Sequence, residues 1–156
     1  MQVVSTGAEQ PTGTASLPRP APSVVTFGLA AFAVIELGLG LLMAASPHNF
    51  YTVVGPFGAF NGHYVRDLST CYLAIGVCLL LAIRHISWRV PVLALTTIQY
   101  ALHSVNHLVD IGKADPAWNG YFDFFSIAAA TLLLAWLWHA AVLETRTSTF
   151  GAEPRS

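Results

Sequence analysis

Four long apolar segments follow one another along this chain and leave few folds open to it. They cover about residues 24–45, 62–83, 90–111 and 121–143. Each segment is long enough to cross about 30 Å of hydrocarbon as a helix that rises about 1.5 Å per residue. Continuous apolar runs favour helices over the alternating strands of a membrane barrel. The sequence therefore predicts an all-α fold, an integral membrane four-helix bundle.

The composition agrees with a membrane protein of one domain. Among the 156 residues, 54% are hydrophobic and only 10% are charged, whereas soluble domains typically carry about 25% charged residues. We therefore expect a multi-pass protein of the cell membrane, surrounded by the lipid bilayer. The net charge of −1 argues against a nucleic-acid partner. Residues 1–23 are predicted to form a disordered N-terminal tail, and residues 144–156 a polar C-terminal tail.

The positive charges predict the orientation of the spans, because cytoplasmic loops carry an excess of lysine and arginine. On one side of the predicted bundle lie Arg19, Arg84, Arg89, Arg146 and Arg155, and on the other lies Lys113. Both termini are therefore expected in the cytoplasm. The segment 47–61 then faces outward. Because it is too apolar for a free loop, we expect it to cap the outer end of the bundle.

Polar and ionisable residues stand within or beside these spans. A charge near the bilayer centre costs about 2.5–3.5 kcal/mol on insertion scales, so such residues usually face a bundle interior and have partners. The second span begins outside and the third ends outside, so their polar ends share the outer leaflet. The sequence predicts one buried polar cluster there, which is also the candidate ligand-binding site. Its members are Glu36, His63, Arg66, Asp67, His103, Asn106, His107 and Asp110.

Pairing would make the outer groups of this cluster tolerable in a low dielectric. Helical spacing leads us to expect that Arg66 pairs with Asp110 or Asp123. On the same grounds, we expect Asp67 to accept a hydrogen bond from His107.

At a deeper level, Glu36 and His103 are expected to share a proton or a hydrogen bond. A polar stripe, flanked by His107, is predicted on the third span, and it consists of Thr96, Gln99, His103, Asn106 and Asp110. Small residues would let the helices approach closely, and the candidates are Gly38, Gly40, Ala44, Ser126 and Ala130.

Four uses of the cluster are open on the residues alone. One is a structural network that fixes helix register, and another is a pocket for a small amphiphilic ligand such as a quinone or a lipid head group. A third is a metal site, because His103 and His107 have the i,i+4 spacing of zinc ligands and Asp67 could complete the shell. A fourth is haem, ligated by histidines on two helices such as His63 and His103.

Two motifs carry a resemblance to a known family. The second span opens with Asn-x-His-x-x-Arg-Asp over 61–67, and the third closes with His-x-x-x-His-x-x-Asp over 103–110. With the four-span layout over residues 24–143, they resemble the DoxX-like group of small bacterial membrane proteins. The resemblance implies the four-helix fold and the membrane location. The name-giving members are associated with quinone-linked sulfur oxidation, which would favour an amphiphile pocket, and the activity of this chain stays open.

The sequence thus favours a non-catalytic membrane module. This module would be an accessory subunit of a larger membrane complex or a homo-oligomer, or a binder of a small amphiphile. The alternative is a membrane oxidoreductase, or another enzyme, that uses the cluster for proton transfer or metal binding.

Overall fold

The computed structural model describes residues 23–150 and contains only helices as regular structure over that range. The helices are α1 (Val24–Ala45), α2 (Pro47–Val53), α3 (Gly62–Arg84), α4 (Ile86–Val109) and α5 (Ala117–Phe150). The predicted all-α class is therefore confirmed for this part of the chain. Residues 1–22 and 151–156, which belong to the two predicted tails, lie outside the described residues.

Two of the long helices begin at a capping side chain. Backbone N–H groups in the first turn of a helix lack intrahelical partners, and a side-chain oxygen just before the helix can accept from them. Ser23 Oγ accepts from the N–H of Thr26 at 3.3 Å, where α1 begins. Asn61 Oδ1 accepts from the N–H groups of His63 and Tyr64 at 3.1 and 3.3 Å, where α3 begins.

Two predicted spans have different bounds in the structure. The third long helix, α4, begins at Ile86 rather than near residue 90, so Pro91 lies inside it. The fourth, α5, continues through Phe150 instead of ending near residue 143. Residues 144–150, which were predicted to belong to the polar tail, are therefore helical. No proline or glycine interrupts this stretch, and Glu144 bonds to another helix, so the change to polar residues does not end α5.

Within residues 23–150, three helices are long and apolar enough to cross a membrane by length and composition: Val24–Ala45, Gly62–Arg84 and Ala117–Thr147. Apolar helices of this length indicate an integral membrane protein. The remaining predicted span corresponds to α4, which has 24 residues and so the required length. It carries polar residues such as Arg89 and Gln99, and it is not among the three helices that are apolar enough by composition.

The long helices contact one another in the order α1, α3, α4 and α5, and α5 contacts α1 again. Their shared core consists largely of aliphatic and aromatic side chains, including Val25, Leu29, Phe32, Leu79, Leu93, Leu134 and Leu137. Every long helix contributes to this core, so the packing of each depends on the others.

Two glycines bring α1 and α3 together. A Cβ atom at Gly40 would lie 2.8 Å from Leu73 Cγ and 3.1 Å from Leu73 N. A Cβ atom at Gly76 would lie 2.7 Å from Leu37 Cγ and 3.1 Å from Leu37 N. The distances to the two Cγ atoms are shorter than real Cβ contacts and the distances to the backbone N atoms are tight, so a larger residue at either position would push the helices apart. Gly40 has the close-packing role predicted for it, whereas Gly38 has open space around its Cβ position and does not.

Arg89 joins the four long helices at one end. Its side chain on α4 is only 12% exposed. Nη1 donates to Glu144 Oε2 on α5 at 3.0 Å, and Nη2 donates to Thr26 Oγ1 on α1 at 3.0 Å. Nε donates to the carbonyl oxygen of Ala82 on α3 at 3.3 Å. The start of α1 and the C-terminal part of α5 therefore lie at the same end of the molecule, here called the Arg89 end.

Candidate functional site

A cavity of about 440 Å³ lies away from the Arg89 end, between the middle of α1, the first halves of α3 and α5, and the second half of α4. Ligand pockets typically occupy about 300–1,000 Å³. The apolar part of the wall includes Phe32, Ile35, Leu39, Phe50, Val54, Phe57, Leu68, Ile127 and Ala130. The polar part consists of Tyr72, Gln99, Tyr100, His103, His107, Asp123 and Ser126.

The short helix α2 and the loop after it form one side of this cavity. Phe50 and Phe57 from this segment line the wall. The loop is held by an antiparallel bridge between Phe57 and Ala114 in the α4–α5 connection. The N–H of Asp115 also donates to the carbonyl oxygen of Pro56 at 3.2 Å. The apolar segment 47–61 is therefore part of the site.

Three polar residues of α4 line the cavity at four-residue steps, which place them on one helix face: Gln99, His103 and His107. The ring centroids of His103 and His107 are 4.6 Å apart, with the rings edge to face. Gln99 Oε1 and His107 Nδ1 are covered by protein and make no hydrogen bond within residues 23–150. Leaving a buried polar atom unpaired costs about 1–3 kcal/mol. These two side chains therefore have hydrogen-bonding capacity that the described chain does not use.

Glu36 lies directly behind the cavity wall and is 1% exposed. Tyr100, which lines the cavity, donates its hydroxyl hydrogen to Glu36 Oε1 at 2.6 Å. The ring of Tyr100 packs edge to face against Phe32, with centroids 5.9 Å apart. A buried carboxyl group is costly unless it is hydrogen-bonded, so the tyrosine hydroxyl makes the burial of Glu36 tolerable.

Replacing Tyr100 by phenylalanine should destabilise the protein by about 1–3 kcal/mol, because Glu36 would lose its buried hydrogen-bond donor. Thermal unfolding in detergent, followed by circular dichroism, measures the change. The matched control is Tyr121→Phe, since Tyr121 is exposed at the start of α5. The double variant Glu36→Met with Tyr100→Phe should lose less than the two single changes add up to. An unaltered melting temperature for Tyr100→Phe would contradict the assigned role of this bond.

The three members of the predicted cluster on α3, His63, Arg66 and Asp67, do not line the cavity. The side chains of His63 and Asp67 are 80% and 61% exposed, and His63 Nε2 lies 3.3 Å from Asp67 Oδ2. The predicted hydrogen bond from His107 to Asp67 is therefore wrong. Arg66 is exposed as well and donates to the carbonyl oxygen of Gly62 in its own helix at 3.5 Å.

The predicted partners of Arg66 are also wrong. Asp110 Oδ1 accepts from Lys113 Nζ at 2.6 Å instead, and Asp123 lines the cavity, to which Arg66 does not contribute. Asn106 is exposed. The polar stripe of α4 is therefore rotated from the predicted one, since the cavity receives His107 and not Asn106 or Asp110.

The predicted pairing of Glu36 with His103 is wrong. Glu36 accepts from Tyr100 and not, within the described residues, from His103. Tyr100 is the residue that sequence reasoning missed. It precedes His103 by three positions and so shares its helix face, and a buried glutamate needs a donor at its own depth.

The predicted metal shell of His103, His107 and Asp67 is not formed. Over residues 23–150, no three histidine, cysteine or acidic side chains are grouped so that they could hold a metal ion. The histidine pair suggested for haem is separated in the same way, because His63 is exposed on α3 and does not line the cavity that contains His103.

Comparison with family models, with curated proteins and with solved structures gives no match to this chain. The resemblance to the DoxX-like group therefore stays a prediction. The part of the chain that the structure describes is helical, and three of its helices are suited to crossing a membrane. Its function has to be argued from the cavity.

Proposed function

We propose that this chain is a four-span protein of the cell membrane, with both termini in the cytoplasm, that binds a small amphiphile in the cavity. The ligand has an apolar body and a polar head, as a quinone or a lipid does. The protein acts as a binding module, either as a homo-oligomer or as an accessory subunit of a larger membrane complex. One observation carries the proposal: a cavity of about 440 Å³ with a largely apolar wall also carries several polar side chains, among them Gln99, His103 and His107.

The two faces of α4 support its role as a fourth span. Its polar residues Gln99 and His103 line the cavity inside the molecule. Its outward face is apolar and exposed, and it consists of Leu95, Ile98, Leu102, Val105 and Val109. A helix that exposes leucine, isoleucine and valine on one face and directs polar residues such as Gln99 and His103 inward is suited to lipid.

The orientation is supported by the position of the chain ends. Ser23 and Glu144 both bond to Arg89, so α1 begins and α5 nears its end on the same side. Arg84 at the end of α3 and Arg146 near the end of α5 lie on this side, and Lys113 lies at the other. The excess of positive charge favours the cytoplasm for the Arg89 end.

A binding site inside a membrane needs polar groups for its selectivity. Because lipid tails are as apolar as leucine, an apolar ligand body gains little by moving from the bilayer into the cavity. The preference for the cavity then comes from the head group, which can bond to Gln99, His103 or His107. A small amphiphile uses both parts of such a wall.

An oxidoreductase is the alternative, and one contact favours it. Tyr100 joins the cavity wall to the carboxyl group of Glu36 through a hydrogen bond of 2.6 Å. A bound carbonyl or hydroxyl group could exchange a proton with this pair or with His103. Oxidation or reduction of the extracted ligand by the purified protein would support an oxidoreductase over a binding module.

Filling the cavity tests the proposal. Ser126 lines the cavity and is exposed, so Ser126→Phe adds a ring there without overfilling the core. We expect mass spectrometry of organic extracts to find an amphiphile in the purified parent and to find less in the variant. Calorimetric titration with decylubiquinone should show affinity that is lower by about ten-fold or more.

The matched control is Ala129→Phe, since Ala129 is an exposed residue of the same helix and does not line the cavity. It should retain and bind the amphiphile like the parent. Equal loss in both variants, or a parent that neither retains nor binds an amphiphile, would contradict the proposal.

A further inference from the structure

We infer that the head group held in this cavity is positively charged, with Asp123 as its counter-ion and aromatic rings around it. The inference rests on the proposed function and names the chemical class of the ligand. That class is a lipophilic organic cation, such as an alkylated ammonium group on an apolar body.

Asp123 has no counter-ion in the described part of the chain. It lines the cavity from the first part of α5 and is half-buried. The salt bridges within residues 23–150 use other acids, namely Asp67, Asp110 and Glu144. A carboxylate beside apolar side chains in a membrane is costly without a partner. A cation in the cavity would remove this cost.

The cavity wall offers no cationic partner of its own among the described residues, since no lysine or arginine lines it. Neither His103 nor His107 forms an ion pair with Asp123. Glu36 stands behind the hydroxyl group of Tyr100 and adds a second acidic side chain next to the wall. The distribution of acids and bases therefore favours a cation over an anion.

Aromatic rings supply the second, independent feature, and those in the wall belong to Phe32, Phe50, Phe57, Tyr72 and Tyr100. The face of an aromatic ring is negative, so it attracts a cation, and cages of such rings are a common way to bind quaternary ammonium groups. This attraction grows when water is excluded. An aromatic wall with one unpaired carboxyl group matches a cationic head better than a neutral or an anionic one.

Two ions of the same shape and opposite charge test the inference. Equilibrium dialysis of the full chain in lipid nanodiscs, corrected with protein-free nanodiscs, should show binding of tetraphenylphosphonium. The same measurement with tetraphenylborate should show affinity that is weaker by at least about ten-fold. In Asp123→Asn, the affinity for tetraphenylphosphonium should fall by about ten- to a hundred-fold, because one partner of the charge pair is gone.

Asp115→Asn is the matched control. It removes the same charge from the α4–α5 connection, and Asp115 is exposed and does not line the cavity. This variant should bind tetraphenylphosphonium like the parent. Circular dichroism of both variants checks that they fold. Equal binding of the two ions, or equal losses in both variants, would overturn the inference.

Nanodiscs of two compositions identify the source of the cation. If phosphatidylcholine nanodiscs lower the binding of tetraphenylphosphonium relative to phosphatidylglycerol nanodiscs, the lipid competes for the cavity. This result would support the inference and assign the site to a lipid ammonium group. Equal binding in both would support it and assign the site to a free organic cation. Binding of decylubiquinone with no preference for tetraphenylphosphonium would overturn the inference and leave the proposed function standing. Binding of neither probe would count against both.

Discussion

Replacing Arg89 by methionine should destabilise the protein by about 3 kcal/mol, as measured by thermal unfolding in detergent. Removing one partner of a buried ion pair costs about 3–5 kcal/mol, and the lower value applies because the side chain of Glu144 is one-third exposed. The guanidinium group also bonds to Thr26 and to the carbonyl oxygen of Ala82. Its loss therefore removes bonds from each of the four long helices at once.

The matched control is Arg84→Met. Arg84 is exposed at the end of α3, and the substitution removes the same charge from the same end of the molecule. Any effect of the charge on membrane orientation is therefore shared by the two variants. Exposed substitutions of this kind usually change stability by about 0.5 kcal/mol or less. Equal melting temperatures for the two variants would show that Arg89 does not hold the helices together.

Replacing Gly40 by leucine should force α1 and α3 apart and cost about 3 kcal/mol, the upper end for an overfilled core. The expected loss is large because the added side chain would meet the backbone N of Leu73, which cannot rotate away as a side chain can. The measurement is again thermal unfolding in detergent.

The control for this change is Gly38→Leu on the same helix. The Cβ position of Gly38 has open space around it, so the variant keeps the packing of α1 against α3. Both substitutions gain the same helix propensity, about 0.7 kcal/mol or slightly more. Their difference therefore isolates the packing term. If Gly38→Leu proved as destabilising as Gly40→Leu, the close approach at Gly40 would not limit the packing.

The helices were largely predictable because each follows from a local pattern. The predicted span 24–45 coincides with α1, and the span 62–83 ends one residue before α3 does. Hydropathy and length act along the chain, so neighbouring residues suffice to read them. The C-terminal part of α5 was missed because it is held by a contact from residue 89 to residue 144, which no local pattern contains.

The candidate site was predictable only in part. His103 and His107 line the cavity, and Glu36 lies behind its wall, as members of the predicted cluster. His63 and Asp67 do not line the cavity. The buried face of α3 is the one that carries Gly76, which packs closely against α1. The two faces lie on opposite sides of the helix, so about half a turn of α3 about its axis would exchange them. Both faces recur with a helical period, so the sequence pattern could not choose between them.

Composition and hydropathy therefore predict helices that are suited to a membrane, because burial of apolar side chains in lipid depends on what each segment contains. Tertiary packing sets which polar groups meet. The bond from Tyr100 to Glu36 joins residues 64 positions apart in the chain, and it forms only when α1 and α4 have one particular rotation. The rotation of α1 depends on its steric fit against α3 at Gly40 and Gly76, where a single carbon atom would change the distance between the two helices.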